Sequence, residues 1–223
     1  MQAIMETLFD VIYLTTVITL GALMFKRSGD NKQYKLFGIM AVVLGMGDAF
    51  HLIPRAYALM TTGLEANAAM LGIGKLITSV TMTIFYVILY KIWIMRYDVK
   101  ENRNMTAAIY LLAAIRIILC LFPQNDWLSY NAPVSWGIYR NIPFAIIGLI
   151  IILLFYNKTK EIGDNSFKFM PLAVILSFGF YIPVVLWANT ISWVGILMIP
   201  KTIAYVWIVA MGYNDFKKSM GTV

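Results

Sequence analysis

The sequence predicts an all-helical polytopic membrane protein, a bundle of seven transmembrane helices with its N-terminus outside the cell and its C-terminus in the cytoplasm. Hydrophobic residues make up 61% of the 223 residues and charged residues 13%, and the mean hydropathy is +0.76. These values lie well outside the usual range of soluble globular domains. Seven apolar windows are long enough to cross a hydrocarbon layer about 30 Å thick as helices. The basic residues also concentrate in alternate connections, as the positive-inside rule requires.

The first three spans are apolar runs bounded by polar or charged residues. The opening segment MQAIMETLFD lacks the positive region and cleavage site of a secretory signal, so the first run is predicted to be a retained helix. The second span contains the segment GMGDAFHLIPR, and the third ends at a basic stretch that includes Lys91 and Arg96. Together the seven predicted spans cover approximately residues 7–25, 36–54, 68–95, 106–122, 134–156, 169–189 and 191–214.

The last four spans are separated by short polar connections. Span four ends at the segment PQND, and span five ends before Lys158 and Lys160. Spans six and seven are joined by little more than the segment ANTISW and contain Pro183 and Pro200. A proline inside a membrane helix frees a carbonyl group, so we expect both helices to line a cavity.

The basic residues predict the orientation of the bundle. Two of the connections between spans, AYALMTTGLEANAA and PQNDWLSYNAPVSW, contain no Lys or Arg and are assigned to the outside. The sequence therefore predicts a single transmembrane domain, residues 1–223, that crosses the plasma membrane several times. The cations assigned to the cytoplasm are Lys26, Arg27, Lys32, Lys35, Lys91, Arg96, Lys100, Arg103, Lys158, Lys160, Lys168, Lys217 and Lys218.

Five cations remain, and all of them lie in or at the outer end of predicted helices. A rise of about 1.5 Å per residue puts three of them roughly 10 Å below the outer helix ends and one roughly 14 Å below. A charge at bilayer depth costs at least about 2.5 to 3.5 kcal/mol, so we expect these side chains to face one another inside the bundle. Asp48 is the one fully embedded acid in this prediction, so water, bound anions or an anionic ligand must balance the cluster. The five are Arg55, Lys75, Arg116, Arg140 and Lys201.

Helical spacing predicts which polar groups share the inner face. Asp48, His51 and Arg55 follow one another at i, i+3 and i+7, so they lie on one stripe of the second span. Asp48 is expected to orient a cation, and His51 would move a proton if chemistry occurs. These two residues are the candidate catalytic groups.

Further candidate ligand-binding residues lie on the other spans. Arg140 is spaced by four from both Trp136 and Phe144, which predicts that its guanidinium lies between their rings. The remaining candidates carry hydroxyl groups and are Ser79, Tyr181 and Tyr205.

Composition excludes several other classes of site. The single cysteine, Cys120, forms no internal disulfide, and the chain has one histidine and no Cys/His cluster, so no metal site is expected. No cofactor is expected either. Most of the basic residues lie in connections assigned to the cytoplasmic side, and the positive-inside rule explains them. No nucleic acid partner is therefore expected.

The segment GDAFHLIPR resembles the GDxxLxxP signature of the bacterial lysoplasmalogenase family. Members of that family are small polytopic enzymes that hydrolyse the vinyl ether of lysoplasmalogens. The resemblance implies that Asp48 matches the motif aspartate and supplies the acid that protonates carbon. The chain differs from the signature at His51, which occupies the leucine position, and it has no second histidine.

The positive charge of the five cations, their similar predicted depth and the resemblance to lysoplasmalogenases favour one function. This is binding of an anionic amphiphile, a phospholipid or lysophospholipid headgroup, in an outward-facing cationic pocket. Hydrolysis of that lipid is left open. The expected partners are membrane lipid and an anionic amphiphile or small anion. Three alternatives remain: a transporter or receptor for a small anion, a retinal-binding protein in which Lys201 resembles the Schiff-base lysine of rhodopsins, and a structural accessory subunit.

Overall fold

The computed structural model describes residues 2–100, 102–188 and 190–221 and contains only helices and connections within them. Two short 3₁₀ helices, Pro123–Asn125 and Ser192–Leu197, precede α5 and α7 respectively. The α-helices are α1 (Gln2–Arg27), α2 (Lys32–Met60), α3 (Ala68–Arg96), α4 (Arg103–Leu121), α5 (Val134–Ile162), α6 (Met170–Trp187) and α7 (Met198–Gly221).

Seven helical segments are long and apolar enough to cross a membrane. The helix lengths and composition therefore confirm the predicted class, an all-helical multi-pass membrane protein. The orientation of the termini stays a prediction. Six of the segments coincide with predicted spans to within a few residues or extend them by one to two turns. For example, α2 begins at Lys32 because the Asn31 side chain accepts hydrogen bonds from two backbone N–H groups of the first turn.

The seventh apolar segment begins at Trp193, close to the predicted residue 191, but its first turns are not α-helical. The chain forms a 3₁₀ helix over Ser192–Leu197, and α7 begins only at Met198. Pro200 therefore lies in the first turn of α7, where its missing N–H interrupts no helical hydrogen bond. The prolines that do lie inside helices are Pro54, Pro143 and Pro183. Asn189, the predicted end of span six, lies outside the described residues.

The helices pack in chain order, and α7 closes the bundle against α1 and α2. Helix α3 also contacts α5, which gives it a central position. Glycines allow the closest approaches between neighbours: a Cβ at Gly38 of α2 would lie 2.6 Å from the backbone N of Phe25. A Cβ at Gly74 of α3 would lie 2.8 Å from Cα of His51, so α3 packs directly beside that histidine.

An aromatic core fills the middle of the bundle. Tyr86 of α3 lies 5.2 Å from Phe85, 5.1 Å from Phe144 and 5.4 Å from Phe178, measured between ring centroids. Its hydroxyl forms a 3.0 Å hydrogen bond with Ser177 of α6. This core separates two polar clusters, one towards each end of the bundle.

One of these polar clusters, which we call the Arg96 cluster, joins four parts of the chain. Arg96 donates from Nε to Asp164 and from Nη1 to Asp215, both at 2.6 Å. Tyr34 donates to Asp215 at 2.9 Å, and Tyr97 donates to Asp164 at 3.0 Å. The cluster thus connects α2, α3, the α5–α6 connection and α7. Sequence reasoning assigned Arg96 to a cytoplasmic connection and missed these partners.

The Arg96 cluster also changes the acidity of its members outside the membrane-spanning segments. Burial alone would raise the pKa of the Asp164 carboxyl. The hydrogen bonds and positive charge of Arg96 outweigh that effect and hold this pKa below its ordinary value. Burial and the Asp164 carboxylate raise the pKa of the Tyr97 hydroxyl. Asp164 is therefore an ionised partner of Arg96 at neutral pH.

Candidate functional site

The five predicted cations lie towards the end of the bundle that is remote from the Arg96 cluster, on α2, α3, α4, α5 and α7. They form two groups that Arg140 connects. Arg116 and Lys201 lie within electrostatic range of one another, and Lys75 lies within range of both Arg55 and Arg140. Arg140 is also within range of Arg116. Arg116 and Lys201 are buried, whereas Arg55 and Arg140 are half-buried and Lys75 is exposed. The prediction that all five cations face one another inside the bundle was therefore wrong for Lys75.

Arg116 is the most deeply buried of these cations. Only 2% of the residue is exposed. Its guanidinium carbon lies 3.3 Å from the centroid of the Phe144 ring, and Nη2 donates to Oδ1 of Asn141 at 3.4 Å. Tyr181 donates to the same oxygen at 3.2 Å. We call the group Arg116, Asn141, Phe144 and Tyr181 the Arg116 site.

Two of the donor atoms of Arg116 are unsatisfied. Nε and Nη1 are both buried and have no hydrogen-bond partner among the described residues. An unpaired buried donor costs about 1 to 3 kcal/mol, and more when the group is charged. Arg116 is therefore a buried cation whose donors are only partly satisfied by the described residues.

Lys201 extends the positive charge from α4 to α7. It is buried in the first turn of α7, and its Nζ lies 5.0 Å from the ring centroid of Tyr181 and 5.4 Å from that of Tyr205. Asp48 lies within electrostatic range, although the described residues offer Lys201 no ion pair shorter than 4 Å. Lys201 therefore lies beside Tyr181, a member of the Arg116 site.

Asp48 has a neutral hydrogen-bond partner that sequence reasoning missed. Tyr13 of α1 donates to its Oδ2 at 2.6 Å. Asp48 was also expected to be the one embedded acid, and that expectation was wrong, because Asp10 of α1 is only 8% exposed. Asp10 lies one turn before Tyr13, a spacing that could have indicated the shared inner face. His51 is partly buried, and its Nδ1 has no partner among the described residues.

Arg140 contacts an aromatic ring, but the predicted pair of rings was wrong. Its guanidinium carbon lies 4.3 Å from the ring centroid of Trp127, and Nη1 donates to Asn125 at 2.7 Å. Phe144 instead contacts Arg116, and Trp136 stacks on Phe122 outside the site. The α4–α5 connection folds back over α5, which spacing within α5 alone could not predict.

The remaining candidates lie at the edge of the cluster. Arg55 forms an ion pair with Glu6 of α1, so its charge has a partner within the chain. Lys75 is exposed, and Ser79 donates to its backbone carbonyl at 2.8 Å. Tyr205 is buried beside Lys201 and Phe85.

The charges at this end of the bundle do not balance. Glu6 pairs with Arg55, Asp48 lies near Lys201, and the buried Asp10 lies within electrostatic range of Arg55. Within the described ranges, Lys75, Arg116 and Arg140 have no carboxylate within 4 Å. The free donors of Arg116, Nε and Nη1, lie on different edges of its guanidinium, so each can donate to an acceptor oxygen separately.

The described residues contain no group of three or more His, Cys, Asp or Glu side chains that could hold a metal ion. No family model, curated protein or solved structure matches the chain. Function is therefore inferred from the charge and geometry of these side chains.

Proposed function

We propose that the protein binds the anionic headgroup of an amphiphile, a phospholipid or lysophospholipid, at the Arg116 site. The observation that carries this proposal is the pair of buried, unpaired donors on Arg116. A buried cation is tolerated when it is paired and hydrogen-bonded, and a phosphate group supplies both the charge and the acceptors. The proposed pocket opens towards the outer face of the plasma membrane.

Two neighbours support the same ligand chemistry. Lys201 adds a second buried cation beside the Tyr181 ring, and Arg140 adds a half-buried cation within electrostatic range of Arg116. All three lie in membrane-spanning helices, where a soluble anion would have to leave water completely. An amphiphile already resides in the membrane and brings its headgroup to this depth at lower cost.

Binding of lysophosphatidic acid to the purified protein in a non-ionic detergent tests the proposal. Arg116→Gln removes the charge at the site, and Arg103→Gln makes the same change at an exposed position at the start of α4. A hydrogen bond to a charged group contributes about 1.5 to 3 kcal/mol, so Arg116→Gln is expected to weaken binding by roughly 10-fold or more. Arg103→Gln and the zwitterionic lysophosphatidylcholine serve as controls. Equal affinities of the wild type and Arg116→Gln would refute the proposal.

We also propose that the protein hydrolyses the bound lipid, on the basis of one sequence motif and one buried carboxyl group. The segment GDAFHLIPR resembles the lysoplasmalogenase signature, and Asp48 is a buried carboxyl group within electrostatic range of Lys201. Protonation of a vinyl ether requires such an acid. Asp48→Asn is expected to abolish release of fatty aldehyde from a lysoplasmalogen and to leave its binding intact. Retained turnover in this variant excludes Asp48 as the acid.

A further inference from the structure

An apolar groove lies between the outer halves of α5 and α6. Its volume is ≈ 200 Å³. Apolar side chains from both helices form most of its walls, namely Ile138, Ile142, Ala145, Ile182, Val185 and Leu186. The groove is smaller than the roughly 300 to 1,000 Å³ of sites for drug-sized ligands, which fits part of one hydrocarbon chain.

The groove ends at the Arg116 site. Asn141, Phe144 and Tyr181 also line it. Asn141 accepts hydrogen bonds from Arg116 and from Tyr181, and the Phe144 ring lies against the Arg116 guanidinium. The apolar space is therefore continuous with the surroundings of an unpaired buried charge.

The rim of the groove faces the side of the bundle that lipid would cover. Ile142 of α5 is 51% exposed and Ile182 of α6 is 45% exposed. Both lie in segments long and apolar enough to span a membrane. An occupant can reach the groove from the lipid layer without passing through water.

We propose that this groove holds one acyl chain of the anionic amphiphile while the headgroup of the same molecule contacts Arg116. The inference rests on the proposed function, because the charge at the end of the groove selects the ligand. An amphiphile with one negatively charged end and one apolar chain matches an apolar groove that ends beside a positive charge. The acyl chain gains van der Waals contacts with the groove walls that a headgroup alone cannot make, so the amphiphile is expected to bind more tightly than its headgroup.

A pair of matched variants on α6 tests the inference. Ile182→Trp fills the rim of the groove, and Ile175→Trp makes the same change two turns away at a residue that is 48% exposed and does not line it. Both side chains lie at the surface, so neither change disturbs the core. The probes are lysophosphatidic acid and glycerol phosphate, which carry the same phosphate monoester with and without the chain.

Ile182→Trp is expected to weaken binding of lysophosphatidic acid at least about 10-fold and to leave binding of glycerol phosphate unchanged. Ile175→Trp is expected to change neither. Ala145→Phe, which fills the groove from α5, provides a second blocking variant with the same expected result. Unchanged binding of lysophosphatidic acid in both blocking variants overturns the groove assignment.

Binding measured with Arg116→Gln distinguishes a failure of the groove assignment from a failure of the proposed function. If Arg116→Gln weakens binding and the blocking variants do not, the headgroup site stands and the chain lies elsewhere. If none of these variants changes binding, both proposals fall. Equal affinity of the wild type for glycerol phosphate and lysophosphatidic acid identifies the ligand as a soluble anion and also overturns the groove assignment.

Discussion

Replacement of Arg116 by methionine should leave the ligand-free protein at least as stable as the wild type. Methionine keeps a long side chain beside Phe144 but removes the charge. The loss of the cation–π contact costs about 0.5 to 2 kcal/mol, and the loss of the long hydrogen bond to Asn141 costs at most about 1 kcal/mol. The wild type also holds two unpaired buried donors, each unfavourable by about 1 to 3 kcal/mol. We therefore expect the free energy of unfolding to rise by about 1 to 3 kcal/mol.

Thermal unfolding of the purified protein in detergent measures this change. Each kcal/mol corresponds to about 2 to 4 °C for a chain of this size, so the unfolding temperature should rise by a few degrees. Lysophosphatidic acid should stabilise the wild type and leave Arg116→Met unaffected. Arg103→Met, an exposed position, controls for the general loss of a positive charge. A fall of about 3 kcal/mol in ligand-free protein would refute the reasoning, because it would mean that Arg116 is already paired within the chain.

Three further outcomes are expected. Arg96→Met should destabilise the protein by about 3 to 5 kcal/mol in thermal unfolding, since it leaves two carboxylates uncompensated, and an unchanged unfolding temperature would contradict this. Tyr13→Phe should cost about 1 to 3 kcal/mol in the same assay, because the buried Asp48 loses its hydrogen-bond donor; no loss would indicate another partner. The pKa of Asp164 lies below its ordinary value, so its contribution to stability is complete above about pH 4 and declines as pH falls further. Unfolding measured between pH 3 and pH 7 should show this decline in the wild type, and the same decline in Asp164→Asn would contradict the assignment.

Most of the fold could be predicted from the sequence. Apolar windows of membrane-spanning length identify the seven helical segments because a lipid-crossing backbone must satisfy its own hydrogen bonds. The start of α7 could not be predicted in this way, because residues 192–197 are as apolar as a helix but form 3₁₀ turns. Hydropathy measures affinity for lipid and does not distinguish these two helical conformations.

The site was predicted less completely than the fold. The cost of a lone charge in the membrane indicated that buried cations lie near one another, and Arg116 and Lys201 are buried within electrostatic range of each other. The partner of Arg140 was missed because Trp127 belongs to a connection whose path no periodic pattern describes. Asp10 was missed because it lies near the start of the first predicted span, residues 7–25, and was not counted as fully embedded.

The partners of Arg96 become available at different times while the chain is being made. Arg96 is made before either of its carboxylate partners, and Asp215 follows it by 119 residues. While the nascent chain is still being extended, this guanidinium first gains Asp164 and gains its second carboxylate only when the seventh helix emerges from the ribosome. The Arg96 cluster is therefore complete only after residue 215 has been made, and a chain that ends earlier lacks the second carboxylate partner of Arg96.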